Sequence, residues 1–348
     1  MTVRVGLLGT GFIARYHAMQ LGLADEPNEL SAVLDTDRAR AEAFAADHGC
    51  SVVDDVAGLV DVCDAVFVCT WTAAHLDAVR AVVAAGLPVF CEKPLSTDLS
   101  SARELVEAVE RSGVINMVGL VLRSSPALLA LRELVRRPGS GAVMNVVFRD
   151  DQYLPTQGMY GSSWRGDPAL AGSGTLLEHS IHDLDVLEWL LGDAVSVAAQ
   201  QSHFHGMDRI EDSVSALFRF ASGATATLAS VWHDVLSRPS QRRIEVFCER
   251  SLVTLEGDVF GPVLAQDSDG ELRLDGDELV AWLRGRAVPL LSAEQEFLVA
   301  VREQLEGGRP ARLRPDVHDA LRAHELVDAV YRSASADGSA VRIPPRAG

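Results

Sequence analysis

The chain has 348 residues, of which 48% are hydrophobic and 23% are charged, and its formal net charge is −18. This length and composition are typical of a globular protein with two domains and exclude an intrinsically disordered chain. Because a nucleic-acid-binding protein needs a basic surface that displaces counterions, the acidic balance excludes nucleic acid as a partner.

The first residues, MTVRVGLLGTGF, lead directly into a strand-and-glycine pattern, without the charged segment and cleavage site of a signal peptide. The apolar runs of the chain are shorter than a membrane span. The five cysteines lack C-x-x-C spacing, so we interpret them as buried free thiols. We therefore expect a cytoplasmic protein that has no membrane partner.

Short apolar runs alternate with helical stretches over residues 1–120. Runs that are buried on both faces and separated by helices are typical of a parallel sheet with right-handed crossovers. The sequence therefore predicts a doubly wound α/β domain in this part of the chain. The predicted strands are VRVGLLG (3–9), LSAVLD (30–35), DAVFVCT (64–70), LPVFCEKP (87–94) and VINMVGL (114–120).

The first predicted strand runs into GTGFIA (9–14), a G-x-G-x-x-A pattern that opens a helical stretch. Gly9 permits a tight turn, Gly11 lets a pyrophosphate approach the backbone, and Ala14 allows the helix to pack closely on the strand. The hexapeptide alone could be an ordinary glycine-rich turn, but its place at the start of a βαβ unit favours a dinucleotide site and a Rossmann domain. The cofactor contacts expected in this turn are Gly9, Gly11, Phe12 and Ile13.

Asp35 ends the second predicted strand and follows Gly11 at close to the ~20-residue spacing of a ribose-binding carboxylate. A carboxylate there accepts hydrogen bonds from the adenosine 2′-hydroxyl and repels a 2′-phosphate, which favours NAD. The alternative is that Asp35 caps the next helix, a role for which Asp37 competes. Arg38 and Arg40 are close enough in sequence to leave NADP open.

Polar side chains follow the third and fourth predicted strands. Thr70 and Trp71 stand at the end of the third strand, His75 lies on the helix that follows it, and Glu92 and Lys93 come at the end of the fourth strand. In an open α/β sheet, ligands bind beyond the carboxyl ends of the strands. We therefore expect all five residues at the cofactor, with Lys93 near the nicotinamide and Glu92 as a cofactor or structural contact.

Lys93 is the only lysine in a chain that contains 30 arginines. Arginine is the basic residue used at every other such position, so the lysine at this one position calls for an explanation. An arginine stays charged and cannot exchange a proton near neutral pH, whereas the pKa of a lysine can be tuned into that range. The sequence therefore predicts that Lys93 is the one cation of the chain whose proton takes part in function.

Beyond residue 140 the pattern changes to alternating segments joined by turns, which predicts a mostly antiparallel sheet that is covered on one face. One strong helix interrupts these segments, and two further helices close the chain. The predicted strand segments are 143–151, 212–234 and 242–257, and the predicted helices are 174–192, 293–306 and 315–333.

Glu178, His182 and Asp185 fall at positions i, i+4 and i+7 of the helix predicted over 174–192, in one stripe. They form either a solvent-facing polar edge, with Glu178 favoured by the helix dipole, or a catalytic face.

The E-H-x-x-H sequence that begins at Glu178 differs from the H-E-x-x-H pattern of zinc helices, so we expect no metal.

Several blocks of the sequence together resemble the Gfo/Idh/MocA family, which includes glucose–fructose oxidoreductase and inositol 2-dehydrogenase. The similarity covers essentially the whole chain, and its most specific part is the pairing of an E-K-P block with a later D/E-x-x-x-H helix. The matching blocks are GLLGTGFIA (6–14), VLDTD (33–37), AAGLPVFCEKPLS (84–96), GL-x-x-R (119–123), SSWRGDPALAGSGTLLEHSIHDLD (162–185) and HELVDAVYRSASADGSAVRIP (324–344).

The resemblance implies a Rossmann domain over residues 1–122, followed by a substrate-binding and oligomerisation α/β domain over 123–289 with a large open sheet. It implies that residues 290–348 pack back onto the first domain. It further implies an NAD(P)-dependent oxidoreductase that transfers a hydride between the nicotinamide and an alcohol or carbonyl carbon of a sugar, sugar derivative or cyclitol. The expected partners are that small-molecule substrate and further copies of the chain, in a homodimer or homotetramer.

By the same resemblance, the catalytic residues of the family correspond to Lys93, Glu178 and His182. His182 is the expected general acid/base, Lys93 polarises the same substrate oxygen, and Glu178 orients the substrate or His182. Asp185 fixes the histidine tautomer or binds a substrate hydroxyl. The other residues expected at the nicotinamide or the substrate are Arg123, Trp164 and Arg165.

Three positions depart from the family pattern, because Trp71 replaces a frequent proline, Glu178 a frequent aspartate and Ser180 a frequent glycine.

Two other functions are compatible with the resemblance. Some relatives cleave glycosidic bonds through transient oxidation and elimination, and one relative is a non-catalytic binding protein that senses the cofactor. The intact set of Lys93, Glu178 and His182 argues against the non-catalytic function.

Overall fold

The computed structural model describes residues 1–238 and 240–346, which form two compact units. The first unit comprises Met1–Leu120 and Leu291–Leu321, and the second comprises Val121–Leu290 and the residues from Arg322 on. Among the described residues, no helix is both long enough and apolar enough to cross a membrane.

The first unit is built around a parallel sheet. Its strands are β1 (Val3–Leu8), β2 (Asn28–Leu34), β3 (Ser51–Val52), β4 (Ala65–Val68), β5 (Val89–Cys91) and β6 (Asn116–Val118). Its helices are α1 (Phe12–Leu23), α2 (Arg38–His48), α3 (Val56–Val62), α4 (His75–Ala84), α5 (Leu99–Ser112) and, from the later part of the chain, α11 (Ala293–Leu305). All residues of β4 and β5 are buried, which explains why these runs are apolar throughout.

The strand order in this sheet is β3-β2-β1-β4-β5-β6. Leu8, at the carboxyl end of β1, is paired with Leu34 of β2 on one side and with Val68 of β4 on the other. The turns after β1 and β4 therefore leave the sheet side by side, at the switch point where open α/β sheets bind ligands. The predicted Rossmann fold of this unit is confirmed.

The second unit contains a mostly antiparallel sheet and the helices packed on it. Its strands are β7 (Val143–Tyr153), β8 (Ala194–Ser202), β9 (Ser213–Phe220), β10 (Thr225–His233), β11 (Gln241–Cys248), β12 (Ser251–Glu256), β13 (Val263–Asp267), β14 (Gly270–Leu274) and β15 (Val341–Arg342). The helices in this part of the chain are α6 (Pro126–Arg136), α7 (Pro168–Ala171), α8 (Thr175–Glu178), α9 (Ile181–Leu191), α10 (Gly276–Arg284) and α12 (Val317–Ser335), within which the boundary between the units falls.

Within the described residues, this sheet has the order β14-β13-β12-β11-β7-β10-β9-β8-β15, and β7 and β10 run parallel. Side chains alternate between a buried and an exposed face. In β9, for example, Phe218 is 1% exposed and its neighbour Leu217 is 50% exposed. The predicted sheet with one covered face is confirmed, whereas the strands β8, β13, β14 and β15 were not predicted.

The end of the chain differs from the prediction that all of 290–348 packs onto the Rossmann unit. Leu291–Leu321 belongs to that unit, but the residues from Arg322 on belong to the second. The reason is a buried ion pair, because the Arg322 guanidinium lies 2.8 Å from a Glu188 carboxylate oxygen. In addition, β15 pairs with β8.

The prediction of a single helix over 174–192 is wrong, because the helix is interrupted between α8 and α9, at His179 and Ser180. The N–H of Ser180 donates to the carbonyl oxygen of Thr175, five residues earlier, which interrupts the helical hydrogen-bond register. The Ser180 hydroxyl lies 2.7 Å from that of Ser230 on β10. Glu178 therefore ends α8, whereas His182 and Asp185 lie in α9, so the three residues are not on one continuous helix.

Candidate active site

The turn between β1 and α1 has the backbone that the glycine pattern predicts. Gly9 has a φ of +97°, and a Cβ there would lie 2.6 Å from the carbonyl oxygen of Cys69, so this position requires glycine. Gly11 is the N-cap of α1, and a Cβ on it would meet no described atom within 4 Å. Phe12 and Ile13 form the first turn of the helix. The open space at Gly11 and the start of α1 fit the pyrophosphate of a dinucleotide.

The Asp35 carboxylate lies against this turn. It accepts hydrogen bonds from the backbone N–H and the hydroxyl of Thr10, at 2.8 and 2.7 Å, and from the Arg40 guanidinium, at 2.6 Å. Burial raises the pKa of Asp35, but the hydrogen bonds that it accepts, above all from Arg40, outweigh burial and lower the pKa to about 2. Asp37 caps α2, so the alternative capping role for Asp35 is wrong. Asp35 is thus an ionised acceptor that fits a ribose hydroxyl.

His75 connects the two turns that follow β4 and β5. Its Nδ1 lies 2.7 Å from the carbonyl oxygen of Pro94, and its Nε2 lies 3.1 Å from that of Thr70. Trp71 precedes a short 3₁₀ turn that leads into α4. The buried imidazole of His75 therefore fixes the spacing between the turn that carries Trp71 and the turn that carries Lys93.

The Glu92 carboxylate turns into the interior of the first unit. Its Oε2 accepts the backbone N–H of Lys93 at 3.2 Å, and its Oε1 lies 2.9 Å from Nε2 of His17. A Cβ on Gly119 would lie 2.3 Å from Glu92 Oε1, so a glycine is needed to make room for the carboxylate. Glu92 was expected to be either a cofactor contact or a structural contact, and its bonds to Lys93 and His17 are structural contacts. His17 was missed, because a histidine on the inner face of a helix gives no functional signal by itself.

In the second unit, the structure brings Trp164, Arg165 and Glu178 together. The Arg165 guanidinium lies over the Trp164 ring, 4.3 Å from its centroid, and Arg165 Nε lies 3.2 Å from Glu178 Oε2. Glu178 is only 2% exposed, and the arginine compensates a carboxylate that would otherwise be costly to bury. These three residues come from two segments that the family resemblance had assigned to one site.

Glu211 fixes the start of α8 and was missed by the sequence analysis. Its Oε2 accepts the N–H of Gly174 at 2.7 Å, and its Oε1 accepts the N–H of Leu176 and the hydroxyl of Tyr331, both at 2.9 Å. A carboxylate at a helix N-terminus satisfies N–H groups that lack a partner within the helix. A Cβ on Gly174 would lie 1.8 Å from the Glu211 carbonyl oxygen, so glycine is required at that position. The short helix that ends at Glu178 is thus held in place at its beginning.

A set of ionisable side chains lies at the helix break, and we call Asp150, His179, Asp183 and Arg242 the Arg242 cluster. The Arg242 guanidinium lies 2.9 Å from Asp150 and 2.8 Å from Asp183, and both aspartates are fully buried. Nε2 of His179 lies 3.0 Å from Asp150. Burial and the charge of Asp150 raise the pKa of Asp183 to about 8, so Asp183 carries a proton at neutral pH. Sequence reasoning missed this cluster, since its members come from three separate segments of the chain.

Asp185 and Arg123 form a buried ion pair with two hydrogen bonds. Arg123 Nε lies 2.8 Å from Asp185 Oδ2, and Nη2 lies 2.5 Å from Oδ1. His182 lies one turn before Asp185 in α9 and is 9% exposed. The structure thus joins two residues that were both expected at the substrate.

Two family models match consecutive parts of the chain. One, described as an oxidoreductase family with an NAD-binding Rossmann fold, matches residues 3–120, and the GFO/IDH/MocA C-terminal domain matches residues 128–254. The chain belongs to the Gfo/Idh/MocA family.

An inositol 2-dehydrogenase of Rhizobium meliloti (strain 1021) is 31% identical over 345 residues, which cover 96% of this chain and 97% of that protein. A 1,5-anhydro-D-fructose reductase of Ensifer adhaerens is 31% identical over 290 residues, which cover 79% of this chain and 83% of that protein. A solved oxidoreductase domain protein from Kribbella flavida is 25% identical with a TM-score of 0.82, and the match covers 99% of this chain and 100% of that one.

The structure of levoglucosan dehydrogenase in complex with NADH has the same fold, with a TM-score of 0.83 at 20% identity, over 99% of this chain and 100% of that one. Four predictions from the sequence are confirmed. They are membership of the Gfo/Idh/MocA family, the α/β fold class, NAD as the cofactor and an oxidoreductase as the enzyme class.

The first unit of this Gfo/Idh/MocA protein has the features that NAD binding needs. The glycine turn leaves space for a pyrophosphate, the start of α1 presents N–H groups, and the ionised Asp35 fits a ribose hydroxyl. In the described part of the chain, no group of three or more His, Cys, Asp or Glu side chains is arranged to hold a metal ion.

Proposed function

We propose that this protein is an NAD-dependent dehydrogenase or reductase that acts on an alcohol or carbonyl carbon of a sugar, a sugar derivative or a cyclitol. The similarity over almost the whole chain to a protein named inositol 2-dehydrogenase supports this substrate class. The observation that carries the proposal is the position of the only lysine in the sequence, just beyond β5 in an NAD-binding Rossmann unit.

The proposed chemistry belongs to Lys93, His182 and Glu178. When it is bound, NAD supplies the acceptor for the hydride that leaves the substrate carbon. Lys93 donates a hydrogen bond to the substrate oxygen and polarises it, while His182 takes the hydroxyl proton as general base and returns it in the reverse reaction. Glu178, whose carboxylate is held by Arg165, orients the substrate or His182.

The remaining site residues support this assignment through their contacts. We propose that the ion pair of Arg123 and Asp185 shapes the substrate site, and that Trp164 and Arg165 contact the nicotinamide or the substrate. The cofactor contacts that we propose in the first unit are Gly9, Gly11, Phe12, Ile13, Asp35, Thr70, Trp71 and Lys93, with His75 and Glu92 holding the turns that carry them.

The proposal is tested with a panel of polyols, cyclitols and sugars, in which NADH absorbance is followed with NAD and with NADP. We expect net NADH formation with at least one compound of the panel. Release of a reducing sugar without net NADH would instead indicate a glycosidase, and NAD binding without chemistry on any compound would indicate a cofactor-sensing binding protein.

Replacing Lys93 by arginine tests the residue that carries the proposal. We expect Lys93→Arg to keep the fold and NAD binding but to lower kcat by ~100-fold or more, because arginine cannot share a proton near neutral pH. Circular dichroism and NAD titration provide the controls for folding and cofactor binding. Turnover at the wild-type rate with the identified substrate would contradict the role of Lys93.

We also propose that the protein forms homo-oligomers through the open face of the large sheet. Three large apolar side chains on this face are substantially exposed, namely Val147 at 38%, Leu217 at 50% and Phe247 at 37%. Apolar side chains grouped on one open sheet face favour contact with a second copy.

The cytoplasm remains the location that we propose for the protein.

A further inference from the structure

His17 lies in the interior of the first unit between two carboxylates. Its side chain is 0% exposed, Nε2 lies 2.9 Å from Glu92 Oε1, and Nδ1 lies 2.8 Å from Glu294 Oε1. The three residues come from α1, from the end of β5 and from α11. We call them the His17 triad.

The triad is enclosed by aromatic rings. The ring centroids of Phe67 and Phe90 lie 5.3 and 5.1 Å from that of His17, and Phe297 packs edge-on against both phenylalanines. Two carboxylates in such a pocket need a cation between them, since an isolated buried charge is very costly.

The imidazole supplies that cation. Burial lowers the pKa of His17, but its hydrogen bonds to Glu294 and Glu92 outweigh burial and raise the pKa to about 9. Burial and the charges of the triad carboxylates raise the pKa values of Tyr16, Cys69 and Cys91, so these three groups stay neutral. At neutral pH His17 is therefore an imidazolium that donates a hydrogen bond to each carboxylate.

Glu92 connects the triad to Lys93. One carboxylate oxygen accepts the backbone N–H of Lys93 at 3.2 Å, and the other oxygen is confined by Gly119 and His17. Burial raises the pKa of Glu92, but His17, Lys93 and His75 together lower it, so this carboxylate is ionised beside the lysine. The orientation of Glu92 therefore depends on the N–H group that His17 presents to it.

We propose that His17 is a positioning residue for Lys93, because its Nε2–H holds the Glu92 carboxylate that fixes the backbone at Lys93. This inference rests on the catalytic role proposed for Lys93. The competing explanation is that the triad only attaches α11 to α1, in which case the bond to Glu294 matters as much as the bond to Glu92.

A matched pair of variants separates the two explanations. The amide nitrogen of glutamine in His17→Gln takes the place of Nε2 and still donates to Glu92, whereas that of asparagine in His17→Asn takes the place of Nδ1 and donates to Glu294. Both variants remove the imidazolium from the same buried position. If His17 acts through Glu92, the glutamine variant retains much more activity than the asparagine variant.

The experiment measures kcat, the KM for NAD and the thermal midpoint of both variants with the wild-type enzyme. We expect kcat to fall by ~3-fold in His17→Gln and by ~30-fold or more in His17→Asn, with the KM for NAD within ~2-fold of wild type in both. Equal kcat losses in the two variants, or losses that follow the thermal midpoints alone, would overturn the proposal. If His17→Asn does not fold, a loss of more than ~30-fold in a folded His17→Gln would overturn it, and a loss near ~3-fold would support it.

Lys93→Arg, assayed in parallel, distinguishes this inference from the proposed function. If Lys93→Arg retains wild-type turnover, the proposed role of Lys93 fails. If Lys93→Arg is inactive while the two His17 variants lose kcat equally, only the positioning role of His17 fails.

Discussion

At the level of single side chains, we expect Asp35 and Arg40 to determine the choice between NAD and NADP. The ionised Asp35 repels a 2′-phosphate and also binds the guanidinium that could otherwise receive one. We expect Asp35→Ser to lower kcat/KM with NAD by ~10–100-fold, because the ribose loses a charged acceptor, and to raise kcat/KM with NADP. Steady-state kinetics with both cofactors measure this change.

Asp37→Ser is the matched control, since serine also caps a helix and the change leaves Asp35 in place. The control should keep the wild-type preference for NAD. If Asp35→Ser also kept that preference, Asp35 would not be the residue that distinguishes the ribose from its phosphate.

At the scale of elements, the sequence predicted those helices, strands and turns that are determined by a local residue pattern. The fully apolar run of β4 and the glycine turn before α1 were predicted correctly, because buried parallel strands and tight turns restrict residue type directly. The break at Ser180 was not predicted, since the hydroxyl that contacts Ser180 there belongs to Ser230, which lies far along the chain. Apolar periodicity runs through the break and gives no sign of it.

The same limit applies to the site. Lys93 and Glu178 are proposed as site residues because they belong to recognisable blocks, and the structure places Glu92 beside Lys93 and Arg165 beside Glu178. The residues that the sequence analysis missed, such as His17 and Arg242, are buried charges that only tertiary contacts explain. A sequence shows that such a residue is present but not which partners make its burial tolerable.

The Arg242 cluster predicts a pH dependence of stability. The pKa of Asp183 is raised from its ordinary 3.8 to about 8, so between these values the folded state binds a proton that the unfolded state has lost. This contribution to stability is complete below pH ~4 and is lost as the pH rises towards ~8. We expect Asp183→Asn, which mimics the protonated group, to reduce the fall of the thermal midpoint between pH 6 and pH 8, as measured by calorimetry.

Asp150→Asn is the contrasting variant in the same cluster. It removes a fully buried partner of Arg242, a change that typically costs about 3–5 kcal/mol of stability when a buried ion pair is broken. We therefore expect Asp150→Asn to unfold at a lower temperature than Asp183→Asn at pH 7. An Asp183→Asn variant that keeps the wild-type pH dependence would show that Asp183 does not hold the proton.

At the scale of the whole molecule, the large sheet of the second unit has one face covered by its own helices and one open face. The register places Leu217 of β9 beside Thr227 of β10, and Thr227 beside Val147 of β7, so exposed side chains form a row across three strands. A stable interface between two protein copies buries about 1,600 Å² in total, and a broad sheet face can supply such an area.

If this face joins copies of the chain, a single charge in the row should separate them. We expect Leu217→Lys to convert the wild-type oligomer into a monomer, because an isologous contact places each lysine near its own symmetry mate or in an apolar surface. Light scattering coupled to size-exclusion chromatography measures the mass. Leu23→Lys is the matched control, since Leu23 is a 72% exposed leucine on α1 of the other unit, and it should leave the mass unchanged. A wild-type monomer, or a Leu217→Lys variant with the wild-type mass, would show that the open face is not the interface.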